Sequence, residues 1–135
     1  MKIYFAGSIR GGREDKEIYS EMIGRLKKRG VVLTEHVGNK DLEESGEIMP
    51  DEEIFKRDVK WLKSADFVVA EVTTASLGVG YEIGLAEALG KKILCLHRHR
   101  DRRLSAMIAG NKNVTTAFYN DVSEALRIID NFLSG

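Results

Sequence analysis

The chain has 135 residues, 43% apolar and 31% charged, which is the size and composition of one ordinary globular domain (1–135) and excludes a disordered protein. Lys+Arg and Asp+Glu both number 21, so the formal net charge is zero and the basic excess of a nucleic-acid binder is missing. The single cysteine, Cys95, lies in an apolar run; that rules out an internal disulfide framework, predicts a buried structural thiol and points to a reducing compartment.

The opening MKIYFAGSIR has no long apolar core and meets Gly7 at once, so it reads as a first strand (Lys2 to Ala6) and not as a leader. Gly7 to Gly12 is a glycine-rich turn. A helix is predicted from Glu14 to Arg29, with Ile18, Met22, Ile23 and Leu26 at helical spacing and Gly30 as its stop. Val31 to Thr34 reads as a second strand. Residues 38–50 are polar and acidic and suggest a mobile lid. Asp51 is a candidate cap for the next helix, whose inner face would carry Ile54, Val59 and Leu62. Phe67 to Val72 is apolar except for Glu71, the pattern of a central parallel strand. A helix over Gly78–Leu89, a strand over Ile93–Leu96, a basic loop over His97–Arg103, a strand over Val114–Tyr119 and a helix over Asp121–Leu133 complete the chain.

Strands alternating with helices imply a doubly wound α/β fold, a five-stranded parallel sheet of Rossmann-like or flavodoxin-like type in a single domain. In such sheets ligands bind beyond the C-terminal ends of the strands, which here are the Gly7–Gly12 turn, the stretch after Val72 and His97–Arg103. No apolar stretch reaches the length of a membrane span. A cytoplasmic protein is expected, or a nuclear one if the source is eukaryotic.

Three sets of residues carry candidate chemistry. In Gly7-Ser8-Ile9-Arg10-Gly11-Gly12, glycines let backbone N–H groups approach an anion at a helix start, Ser8 adds a hydroxyl and Arg10 a charged fork. The spacing is neither the dinucleotide GxGxxG nor the P-loop, and the plain alternative is a tight turn with a surface arginine. In TTASLGVGYEIG (73–84), Gly78 and Gly80 permit close approach, and Glu82 falls within the first turns of a helix. The helix dipole is expected to keep Glu82 ionised, which suits a nucleophile, although a Glu there is often only electrostatic. Asp58 lies mid-helix and is a possible second carboxylate, since glycosidic cleavage uses two in unlike environments. Tyr4 is a core residue by pattern, with a hydroxyl able to steady a carboxylate. His36, His97 and His99 lack zinc-type partners and HExxH does not occur, so neither metal nor cofactor is expected. The basic loop reads as solvated.

Four blocks, YFAGSIRGGRED (Tyr4–Asp15), VLTEHV (Val32–Val37), ADFVVAEVTTASLGVGYEIG (Ala65–Gly84) and KILCLHR with LSAMI (Lys92–Arg98, Leu104–Ile108), together resemble the 2′-deoxynucleoside 5′-phosphate N-hydrolases of the nucleoside 2-deoxyribosyltransferase superfamily. The resemblance implies hydrolysis of a deoxynucleoside monophosphate to free base and 2-deoxyribose 5-phosphate by a homodimer. It implies Glu82 as a nucleophile forming a covalent glycosyl-enzyme, Asp58 assisting the leaving base and Tyr4 positioning the nucleophile. Ser8, Ile9, Arg10, Gly11, Ser76 and Gly78 match the loops around the 5′-phosphate, with Gly7 opening that turn. Ser105, with Met107 beside it, matches a serine that enters the neighbouring subunit's site. Open alternatives are a 2′-deoxyribosyltransferase acting on nucleosides, a ribonucleoside monophosphate hydrolase, a non-catalytic nucleotide-binding module and a flavodoxin-type carrier.

Overall fold

The computed structural model describes residues 1–10, 12–38, 48–99 and 101–135; Gly11 and most of the expected lid (39–47) lie outside the described residues. The elements are β1 (Lys2–Gly7), α1 (Gly12–Lys27), β2 (Val31–Val32), a 3-10 turn (Glu35–Gly38), α2 (Asp51–Ser64), β3 (Phe67–Glu71), α3 (Leu77–Ala88), β4 (Lys92–His97), α4 (Ala106–Ala109), β5 (Thr115–Phe118) and α5 (Val122–Ser134). The five strands are all parallel in the order β2-β1-β3-β4-β5, which is the flavodoxin-like one of the two arrangements that the alternating pattern left open. The order reverses between β1 and β3, where Tyr4 pairs with Val68 and Gly7 with Glu71.

The period-two alternation of each strand divides the core between two faces. Ile3, Phe5, Val69, Leu94 and Leu96 pack with Tyr19, Met22, Ile23 and Leu26 of α1 and Ala125, Ile129 and Leu133 of α5. Tyr4, Ala6, Val68, Ala70, Ile93 and Cys95 pack with Leu62 of α2 and Val79, Ile83 and Ala86 of α3. Each large aliphatic side chain removed from water in these layers contributes about 1.5–3 kcal/mol. Cys95 is fully buried, and burial pushes its thiol up to about 12, as befits a structural cysteine.

Two expectations are corrected. The second strand is two residues long, not four. Beyond Val32 the buried Thr34 side chain replaces the ladder, its Oγ1 accepting from Phe5 N at 2.8 Å and donating to Phe5 O at 2.7 Å. Asp51 does not cap α2: Pro50 holds the N-cap position without a side-chain hydrogen bond, and Asp51 joins Glu52 and Glu53 in the first turn, where acidic residues complement the helix dipole. Among the described residues no helix is long and apolar enough to cross a membrane.

Candidate active site

Among the described residues of the glycine turn, two positions require glycine. A Cβ on Gly7 would lie 2.8 Å from ring carbons of Tyr19, and Gly12 enters α1 at φ +79°. Between them Ser8 is buried, its Oγ accepting from Arg10 N at 3.2 Å, while Arg10 stands on the exposed side. After β3 the chain crosses to α3, whose N-cap Ser76 accepts from Val79 N at 3.3 Å.

Tyr4 points from β1 toward α3. Its phenol is almost fully buried, so it needs an acceptor, and it donates a hydrogen bond to Glu82 Oε2. Asp58 faces the same space from α2, ion-paired with Arg57 Nη2 at 2.9 Å. Arg57 in turn stacks over the Trp61 ring at 4.7 Å and lies 3.4 Å from His36 Nε2. Tyr4, Asp58 and Glu82 are thus brought together although 78 residues separate Tyr4 from Glu82.

Two adjoining cavities meet at this group. One, of about 310 Å³, runs between α2 and α3 and is walled by Phe55, Val59, Leu62, Tyr81 and Leu85. The other, of about 290 Å³, leads over the end of β1 past Thr34 and His36 to Gly7, Ile9 and Ser76. Both are lined by Tyr4, Asp51, Ile54, Asp58, Gly78 and Glu82. Gly7, Ile9, Ser76 and Gly78 therefore share a cavity with the carboxylates. Ser105 and Met107 do not: they line a separate hollow of about 460 Å³ on the far side of Ser76, with Leu77 and Ile108. Gly11 is outside the described residues.

The expectation that the helix dipole keeps Glu82 ionised is corrected. Glu82 is the sixth residue of α3, beyond the first turn where the dipole acts. Burial raises its carboxyl to about 7, the Tyr4 hydrogen bond opposes that rise and the Asp58 charge adds to it. Burial, then the Glu82 and Asp58 charges, push the Tyr4 phenol well above its ordinary range, so it remains a donor. A carboxyl balanced near neutrality beside a second carboxylate, with a fixed donor and an adjoining cavity, can act as a nucleophile or as a proton carrier.

The basic loop does not begin as a solvated one. The Arg98 side chain is 9% exposed and ion-paired to Asp15 and Glu71, which are buried. The one sequence signal of this second cluster is Glu71, the single charge in an apolar strand; nothing in the spacing joins it to Asp15 or Arg98.

The family model for nucleoside 2-deoxyribosyltransferases matches residues 3–125. The 5-hydroxymethyl-dUMP N-hydrolase of Tetraodon nigroviridis is 49% identical over 139 aligned positions, covering 99% of this chain and 98% of that protein. The mouse protein of the same name is 59% identical over 111 positions, 80% of this chain and 64% of its own length. A solved Clostridium botulinum CMP N-glycosidase superposes with a TM-score of 0.75 at 22% identity over 98% of this chain and 99% of that one, a likeness of fold.

Proposed function

Because the chain belongs to the nucleoside 2-deoxyribosyltransferase family, we propose that it is an N-glycosidase that hydrolyses 2′-deoxynucleoside 5′-monophosphates, 5-hydroxymethyl-dUMP among them, to free base and 2-deoxyribose 5-phosphate. The observation that carries this reading is one continuous cavity wall holding Glu82, Asp58 and Tyr4 at one end and Gly7, Ile9 and Ser76 at the other. The carboxylates suit a sugar carbon; the glycine turn and the N-terminus of α3 suit a phosphate.

The phosphate docks against Gly7–Arg10, Ser76 and Gly78, and that remote binding holds C1′ against Glu82. Ionised Glu82 attacks as the base departs through an oxocarbenium-like state, Tyr4 holding the carboxylate in place. Asp58 assists the departing base, and water then releases the sugar with retention. Desolvation of Glu82 favours this step, since a poorly hydrated carboxylate gains most from the positive charge that develops beside it.

The working unit in this reading is a homodimer. α3 carries no Lys or Arg and is apolar nearly all round, yet its Leu77 is 96% exposed, and nearby Met107 is 81% exposed. A helix of that composition is normally covered. A second copy seated there would bring Ser105 and Met107 to the neighbouring site.

The test is base release from 5-hydroxymethyl-dUMP, dGMP, deoxyguanosine and GMP, with and without an added second base. Release from the deoxynucleotides alone supports the reading. Exchange that needs an added base would make the chain a transferase, and turnover of GMP at an equal rate would remove the deoxy preference.

A further inference from the structure

On the face of the sheet opposite Glu82 lies a second set of buried ionisable groups that takes no part in the chemistry above. Glu71 ends β3 fully buried, Asp15 lies in the first turn of α1, and Arg98 follows β4. Arg98 Nη1 donates to Glu71 Oε2 at 2.9 Å, and Nη2 donates to Asp15 Oδ1. Glu71 also accepts from Thr73 N at 2.7 Å, Thr73 Oγ1 at 2.8 Å and the Tyr119 hydroxyl. Asp15 Oδ2 accepts from Thr74 Oγ1 at 2.7 Å, and Arg98 N donates to Thr73 Oγ1 at 3.1 Å. Arg98 Nε makes no hydrogen bond among the described residues and faces Glu14 Oε1 at 3.4 Å.

A buried group of two carboxylates and one guanidinium is a poor route to stability, because well-packed apolar residues commonly do as well. What apolar packing lacks is direction. These bonds tie together the start of α1, the β3–α3 connection and the β4–α4 connection. The first follows the Gly7–Arg10 turn, the second carries Ser76 two residues past Thr74, and the third leads to Ser105.

We infer that the Asp15–Arg98–Glu71 cluster is a positioning device that sets the spacing between the loops holding the substrate's 5′-phosphate, with the Thr74 hydroxyl as the link between the glycine turn and the Ser76 loop. The inference rests on the phosphate reading of the site proposed above. None of the three touches the reacting atoms; they act through the loops they join. Their effect falls more on phosphate binding than on the bond-breaking step, because Tyr4, Asp58 and Glu82 are held on the other face.

Thr74→Val keeps the side-chain shape and deletes the one hydroxyl; Thr74→Ser restores it. In the full chain, Thr74→Val is expected to raise KM for the deoxynucleoside monophosphate by up to about ten-fold, the ceiling set by the worth of a hydrogen bond to a charged group, with a smaller fall in kcat. Thr74→Ser is expected to return KM to the wild-type value. Arg98→Lys, which keeps the charge but loses the fork, should move KM the same way; if it does not fold, the Thr74 pair decides. A wild-type KM in Thr74→Val overturns the inference whatever happens to its thermal midpoint, and so does failure of Thr74→Ser to recover it. A wild-type chain that turns over deoxynucleosides as readily as their monophosphates removes the phosphate reading and the inference with it. That failure is read on the unmutated protein and so is distinct.

Discussion

Two tyrosine–carboxylate pairs lie on opposite faces of one sheet, Tyr4 with Glu82 against α2 and α3, and Tyr119 with Glu71 on the side of α1 and α5. In both a buried phenol donates a hydrogen bond to a carboxylate. The difference is the third partner. Glu71 has Arg98 at 2.9 Å, and Asp15 shares that guanidinium. Beside Glu82 stands a like charge, Asp58, which adds to burial in raising Glu82 to about 7. Carboxylates joined to a buried cation are locked into structure, whereas one left with a like-charged neighbour and an adjoining cavity is available for chemistry.

The largest effect expected from breaking this contrast is on turnover. Glu82→Ala should lower kcat by at least about a thousand-fold with an unchanged circular dichroism spectrum, as loss of a nucleophile does. Residual activity within ten-fold of wild type would place the nucleophile elsewhere. On the other face, Arg98→Met leaves two buried carboxylates without their cation and should cost roughly 3–5 kcal/mol in denaturant unfolding. Adding Asp15→Asn should recover part of that loss; no recovery would mean that the charge imbalance is not its cause.

The two faces should also differ in the sign of their contribution to stability. Glu82 binds its proton more tightly folded (about 7) than unfolded (4.5). Its contribution is therefore most favourable below about pH 4.5 and is lost as pH rises toward 7, by up to roughly 3 kcal/mol. Glu82→Gln should remove that slope and be the more stable protein above pH 7. An unfolding free energy with the same pH dependence in both proteins would show that Glu82 is not the titrating group.

The finest test concerns the acidic limb of the kcat/KM profile, expected near pH 7 where Glu82 ionises. The Tyr4 hydrogen bond lowers the Glu82 value and the Asp58 charge raises it. Tyr4→Phe should therefore move the limb to higher pH and Asp58→Asn to lower pH. Shifts in the same direction in both variants would refute the assignment of the limb to Glu82.

Most of the fold was legible in the sequence because strand alternation and helical spacing are local properties. The alternation of strands with helices implied the parallel sheet, and Ile18, Met22, Ile23 and Leu26 marked the inner face of α1 before any contact was known. The length of β2 was not legible, since a Thr34 side chain bonding to Phe5 looks in sequence like one more strand residue. Glu82 and Tyr4 were legible through the resemblance of whole blocks, Asp58 only as a single match between them, and the glycine turn through its composition.

Charge state and partnership were decided only by the tertiary structure. Burial and the proximity of Asp58, not position along the helix, govern Glu82, and both arise from segments far apart in the chain. Arg98 belongs to a run that reads as solvated, yet it lies between Asp15 and Glu71, 83 and 27 residues away. Patterns of period two and 3.6 report which side of an element faces inward. They do not report which inward-facing polar groups meet, because that depends on how the sheet orders its strands, and electrostatic interaction depends on distance and burial and not on sequence separation.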